Sequence, residues 1–320
     1  MKAKGWKFLL ALACLAAPLA AFAQAFPAKP VTLLITFPAG GPTDVAGRAL
    51  AEATSKYLGQ PVVVENRPGA TGTLGAAALV NAKPDGYTVS MVPITVLRLP
   101  HMENVAYDAI KDIQYVMGVS GYVFAVIVRA DSPYKTMAEL VAGAKANAGK
   151  ISYGSHGIGG SVHLAMEELS TAQNVKFNHI PFKGSADMLT AMLGGHLDVA
   201  VDSTGAVPHV AAGKARVLAV LTEKRVPVWP DVPTLTELGY GIVSTSPYGI
   251  GVPAATPPAV VRILHDAFKK GLEDPIHTRT LEKYNQPVWY QSTEDYTRFA
   301  REQYERERKL IDRIGLTKKK

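Results

Sequence analysis

Val31-Thr32-Leu33-Leu34-Ile35-Thr36-Phe37-Pro38-Ala39-Gly40-Gly41-Pro42-Thr43-Asp44 is the stretch on which the fold turns. Residues 31–37 are a continuous apolar run of strand length and read as a buried strand. The prolines and glycines at 38–42 make a turn. Residues 43–58 then place Val45, Leu50, Ala53 and Tyr57 at helical spacing, with Gly59 as the stop. A strand that delivers glycines to a helix start exposes N–H groups without intrahelical partners at the positive end of the helix dipole, which suits an anion. An ordinary strand–helix turn with Thr43 or Asp44 as N-cap accounts for the same residues.

The same unit recurs on both sides of the chain's midpoint. Strand-like runs at 62–65 and 87–92 flank a loop, Arg67-Pro68-Gly69-Ala70-Thr71-Gly72, and an Ala-rich helix at 74–80. The pattern restarts with strands at 123–128, 151–154, 179–181, 197–201 and 217–221, and helices at 137–147, 161–169 and 185–193. Repeated strand–glycine turn–helix units predict parallel α/β architecture in two similar lobes. The C-terminal part reads as helical, from Pro258 to about 272 and again to about 314. Ser292-Thr293-Glu294-Asp295 resembles a capping box for the last helix, whose run Arg301, Glu302, Glu305, Arg306, Glu307 and Arg308 reads as a solvated face.

At the other end, Lys2, Lys4 and Lys7 precede an apolar run at 8–19, too short for a bilayer of ~30 Å. Ala21-Phe22-Ala23 completes a cleavable signal peptide over residues 1–23. Its removal leaves 297 residues, ample for more than one lobe, and takes away Cys14, the only cysteine. A lipid anchor on Cys14 is the weaker alternative, because so little apolar sequence precedes it. Without the three signal lysines, 31 basic residues face 27 acidic ones, a net charge of +4. These charges are dispersed apart from the Lys318-Lys319-Lys320 tail, which argues against nucleic acid as a partner. No later segment is apolar for long enough to span a membrane.

A second glycine-rich turn, Tyr153-Gly154-Ser155-His156-Gly157-Ile158-Gly159-Gly160-Ser161-Val162-His163, again joins a strand to a helix, with Ser161 as a natural N-cap. Four glycines in seven residues allow a backbone to approach a ligand closely. The turn lacks the dinucleotide fingerprint, because Val162 stands where the third glycine belongs, and it lacks the G-K-[ST] end of a phosphate loop. Gly159-Gly160-Ser161-Val162-His163 narrowly misses a hydrolase nucleophile elbow. His156 and His163 have no metal-ligand spacing, and His163 reads more simply as a packed or capping histidine. Pro181-Phe182-Lys183-Gly184-Ser185 and Val201-Asp202-Ser203-Thr204-Gly205 sit at strand ends, where open sheets place ligands, and Lys183 can meet a carboxylate there. Arg98, just after a strand, can reach a carboxylate bidentately; a surface or structural arginine is the plainer reading.

Taken in order, the motifs are Phe37-Pro38-Ala39-Gly40-Gly41 with Asp44, Glu65-Asn66-Arg67-Pro68-Gly69-Ala70, Pro84-Asp85-Gly86-Tyr87-Thr88 and the loop from Gly154 to Leu164. Pro181-Phe182-Lys183-Gly184, Gly194-Gly195-His196-Leu197-Asp198, Pro230-Asp231-Val232-Pro233-Thr234 and Glu237-Leu238-Gly239 follow. This set resembles the Bug family of extracytoplasmic solute receptors, the binding components of tripartite tricarboxylate transporters. The resemblance implies a type II periplasmic binding protein fold: two α/β lobes with a ligand cleft between them, lobe one at 24–124, lobe two at 125–247, and a return to lobe one at 248–320. It implies capture of a small organic carboxylate by Phe37, Ala39, Gly41, Thr43 and Asp44 from lobe one and by Ser155, Gly159, Ser161 and His163 from lobe two. Lys183, Gly184 and Asp202 lie nearby in this reading, and His156, where family members often carry a small residue, lines the pocket. It further implies a periplasmic monomer that hands its solute to membrane permease subunits, with no catalytic residue, metal or cofactor. A sensor presenting solute to a signalling partner, and a secreted serine hydrolase built on Ser161, are the alternatives.

Overall fold

The computed structural model describes residues 26–318, so the signal peptide, Cys14 and the last two lysines lie outside the described residues. In chain order the first part contributes β1 (Val31–Ile35), α1 (Pro42–Leu58), β2 (Val62–Asn66), α2 (Leu74–Asn81), β3 (Thr88–Pro93), α3 (Thr95–Arg98) and β4 (Ile113–Ser120). Next come β5 (Ala125–Arg129), α4 (Met137–Ala146), β6 (Ser152–Ser155), α5 (Ser161–Gln173), β7 (Asn178–Pro181), α6 (Ser185–Leu193), β8 (Val199–Asp202), α7 (Val207–Ala211) and β9 (Ala215–Val220). The chain closes with β10 (Tyr248–Pro253), α8 (Pro258–Glu273), α9 (Pro275–Lys283), β11 (Val288–Gln291) and α10 (Thr293–Arg313).

These strands form two sheets. One has the order β11-β4-β10-β3-β1-β2 and the other β7-β6-β8-β5-β9. Strand β1 sits between β2 and β3, parallel to both, and four of its five side chains are buried, as a strand covered on both faces requires. Residues 121–124 and 221–247 carry the chain from one sheet to the other and back.

The two-lobed α/β architecture holds, but the sheets are mixed and not parallel throughout. Strand β10 runs antiparallel to β3 and β4, β11 antiparallel to β4, and β5 antiparallel to β8 and β9. The strands that break the parallel pattern include β4, β10 and β11, which were not assigned from the sequence. In β10 the reason is visible at Gly249, where a Cβ would lie 2.2 Å from the carbonyl oxygen of Met117 and 2.4 Å from the Tyr296 ring. Close packing on both sides demands glycine, and glycine erases the local β signature.

Helix α10 begins as its sequence suggests, with the Ser292 hydroxyl accepting from the N–H of Asp295. Its charge run is not wholly solvated, however. Tyr296, Ala300, Glu307 and Ile311 fall on one face and are buried, so Glu307 points inward while its charged neighbours stay outside. Among the described residues no helix is long and apolar enough to cross a membrane.

Candidate functional site

Three helices begin at one cavity of about 200 Å³ between the two sheets. Helix α1 starts from Gly41, with Pro42 in its first turn, and its first intrahelical bond runs from Val45 N to Gly41 O. Helix α5 starts from Gly160, with the first bond from Leu164 N to Gly160 O. Helix α6 starts from Gly184. All three N-caps are glycines without a side-chain cap, so neither Thr43, Asp44 nor Ser161 takes the N-cap role expected of it. The consequence is chemical: the N–H groups of the first turns are left free of capping oxygens and carry the positive ends of their helices.

Of the residues singled out from sequence, Phe37, Ala39, Gly41, Thr43, His156, Ser161 and Gly184 line this cavity. Thr43 is held by its hydroxyl, 2.6 Å from the phenol oxygen of Tyr122. Burial drives that phenol well above its ordinary pKa, so it remains a neutral hydrogen-bonding group. His156 presents one edge to the cavity and turns Nε2 to Asp202, donating to Oδ1 at 2.7 Å. Ser185 donates to the same oxygen at 2.7 Å, and Asp202 is fully buried with Oδ2 unpartnered. The imidazole and the Ser185 hydroxyl thus meet this buried carboxylate through the same oxygen.

The other candidates stand behind the lining. Asp44 braces the first turn: Oδ2 accepts from Gly40 N at 2.9 Å and Arg48 Nε at 3.0 Å, and Oδ1 accepts from Asn66 Nδ2 at 2.7 Å. Burial pushes its carboxyl up, but Arg48, the Gly40 N–H and the Asn66 amide outweigh that and hold it below the usual range. Ser155 is buried and donates to Gly157 O at 3.1 Å, which leaves its oxygen to accept from His179 Nε2 at 2.7 Å. His163 Nδ1 accepts from Gly159 N at 3.2 Å, and its ring lies 4.2 Å from that of His179. Burial lowers both histidines to about 4, with Arg98 adding to the effect on His163 and His163 adding to that on His179. Lys183 is exposed and borders a neighbouring groove rather than the cavity.

Arg98 is a correction. It is buried, and its fork is spent on Glu307, with Nε to Oε2 at 2.6 Å and Nη2 to Oε1 at 3.0 Å, and on Gly159 O at 2.9 Å. It does not line the cavity. Sequence reasoning also missed lining residues: Tyr122, Phe124 and Ser246 come from the crossing segments, Pro93 from the end of β3 and Thr95 from the start of α3. Their types carry no motif, and only the passage of the chain between sheets brings them here.

The arrangement does not suit hydrolysis. Among the described residues, Ser161 Oγ has the guanidinium of Arg98 at 3.3 Å and no histidine at hydrogen-bond distance. In the His156–Ser185–Asp202 cluster a single nitrogen faces both partners, so no base stands between acid and nucleophile. Among the described residues no group of histidine, cysteine and carboxylate side chains has metal-binding geometry.

Residues 46–316 match the model of the tripartite tricarboxylate transporter family receptor. The chain belongs to this receptor family. A Cupriavidus necator relative, the UPF0065 protein in gbd 5' region, is 46% identical over 308 residues, covering 96% of this chain and 94% of its own. Among solved structures, the periplasmic binding protein BugD is 33% identical with a TM-score of 0.86, over 92% of the receptor and all of BugD. MatC from Rhodopseudomonas palustris, solved with bound malate, is 27% identical with a TM-score of 0.83, over 89% of the receptor and all of MatC. The receptor therefore has the two-lobed fold of periplasmic binding proteins and is a solute-binding protein, not an enzyme.

Proposed function

We propose that this receptor captures a small organic carboxylate in the periplasm and delivers it to the membrane permease subunits of a tripartite transporter. The observation that carries the reading is the convergence of three uncapped helix N-termini on one cavity that has neither lysine nor arginine in its lining. An anion there is met by backbone N–H groups and by His156, while Phe37, Tyr122 and Phe124 supply an apolar wall for the body of the solute. Malate bound to MatC supports a carboxylate of this size. The same reading assigns residues 1–23 to a signal peptide cleaved near Ala23 and divides the mature monomer into lobes at 24–124, 125–247 and 248–320. The lobes close about the crossing segments, and solute selects the closed arrangement, which the permease recognises.

A thermal-shift series with malate, adipate, citrate and benzoate tests this. A solute at a hundred times its Kd stabilises the native state by about 2.7 kcal/mol, a rise of several degrees in Tm. If no carboxylate raises the melting temperature, the proposal fails.

A further inference from the structure

Arg98 lies outside the cavity yet touches the turn that builds it. It ends α3 in the part of the chain that forms the first sheet, and Gly159 and Ser161 belong to the part that forms the second. Its side chain is 4% exposed and that of Glu307 is 2% exposed, so the pair is buried on both sides of the contact. Glu307 takes two of the fork's N–H groups, Gln303 donates to Glu307 Oε1 at 2.9 Å, and Nη1 of Arg98 is left to donate to the Gly159 carbonyl. The same Nη1 lies 3.3 Å from Ser161 Oγ, a side chain of the cavity wall.

The turn it grips has other ties as well: Thr71, from the part of the chain that forms the first sheet, donates to Ile158 O at 2.8 Å, and Ser155 donates to Gly157 O at 3.1 Å, but neither reaches Gly159 or Ser161. Gly159 sits at φ +76°, in the left-handed region, and gives its N–H to His163 Nδ1. Ser244, on the returning segment, donates to Ser161 O at 3.0 Å. A planar guanidinium held by a carboxylate can meet a carbonyl in only one orientation, which a lysine on a flexible stem cannot reproduce. A buried ion pair is poor value for stability, since apolar residues of similar volume serve as well or better. Its geometry therefore has to be explained by what it holds in place.

We propose that Arg98, braced by Glu307, is a positioning residue of the solute site. It fixes the Gly159–Ser161 turn, and with it the N-terminus of α5, to the first lobe, so that the α5 N–H groups face the cavity before solute arrives. The proposal rests on the cavity being the carboxylate site.

The test is the double variant Arg98→Met/Glu307→Leu, which removes both charges and keeps apolar volume, so that no unpaired buried charge unfolds the protein. Two measurements are made on wild type and variant: amide hydrogen exchange in solute-free protein, and the Kd of whichever of malate, adipate, citrate and benzoate binds wild type most tightly. Exchange at 157–163 is expected to quicken, with β8 and β5 unchanged, and Kd to rise about tenfold or more, the factor equivalent to ~1.4 kcal/mol. Unchanged exchange at 157–163 overturns the clamp, whatever the binding result. Quickened exchange with an unaltered Kd overturns its role in binding. Wild type that binds none of the four overturns the carboxylate reading instead, and the exchange data alone then decide whether Arg98 orders the turn.

Discussion

Replacing Asp44 with Asn tests whether this carboxylate braces the first binding turn. The change keeps volume but turns one acceptor oxygen into an NH2 group. That group must face either the donors at Oδ2, Gly40 N and Arg48 Nε, or the donor at Oδ1, Asn66 Nδ2. Arg48 is 50% exposed and counts for little, because solvent screens it, whereas the Asp44 side chain is 4% exposed. The loss is therefore dominated by hydrogen bonds to a charged acceptor at about 1.5–3 kcal/mol each, one of which is lost outright. We expect a destabilisation of about 2–3 kcal/mol, which for a chain of this length lowers Tm by roughly 3–5 °C. The folded pKa of Asp44 is depressed, so its contribution is present above the unfolded carboxyl value and is lost as pH falls through the folded one. The wild-type advantage should shrink in acid accordingly. Calorimetry at pH 7 and again near pH 3 measures both effects. A variant that melts within a degree of wild type at pH 7, or a gap that widens in acid, would refute the bracing role.

Exchanging His156 for Asn removes the ring that donates to Asp202 and lines the cavity, and should raise the Kd of a bound carboxylate about tenfold, read by titration calorimetry; an unchanged Kd sinks the role given to the imidazole. Gly159→Ala places a Cβ 2.6 Å from Leu99 Cδ2 in left-handed backbone, so it should cost about 1–3 kcal/mol of stability, read as a lower urea midpoint, and weaken solute binding as well. His163 and His179 both have folded pKa values lowered to about 4, so the unfolded chain binds protons that the folded one does not as pH drops from about 6.5. Stability should fall across that window by up to about 1.4 kcal/mol per pH unit for His163, with less for the partly exposed His179, and level off near pH 4. In His179→Gln the fall should be shallower, as urea unfolding across the pH range will report.

Seven of the fourteen residues proposed from sequence line the cavity, and the division among them has a cause. Those that line it sit at the uncapped tips of glycine turns or at the helix starts that follow, where local geometry already faces the backbone outward. The residues behind it were recognised as parts of the same motifs. Whether a side chain in such a motif touches solute or holds the turn depends on partners far away in sequence. Asp44 is turned by Asn66, 22 residues on, and Ser155 by His179, 24 residues on. Arg98 is claimed by Glu307, 209 residues on. No spacing rule reaches that far.

Sequence alone determined the two-lobed α/β class and the order of its turns, together with most helix limits in the first two thirds of the chain, because periodicity and glycine placement are local properties of the backbone. Tertiary structure alone decided the mixed pairing of the sheets, since two of the six residues of β10, Gly249 and Gly251, are glycines that only its neighbours require. It also decided the inward turn of one glutamate in a charged helix, and the pairing of Arg98 with that glutamate and the Gly159 carbonyl. The physical reason is common to both. A buried group is defined by what surrounds it, and here what surrounds it arrives from the other end of the chain.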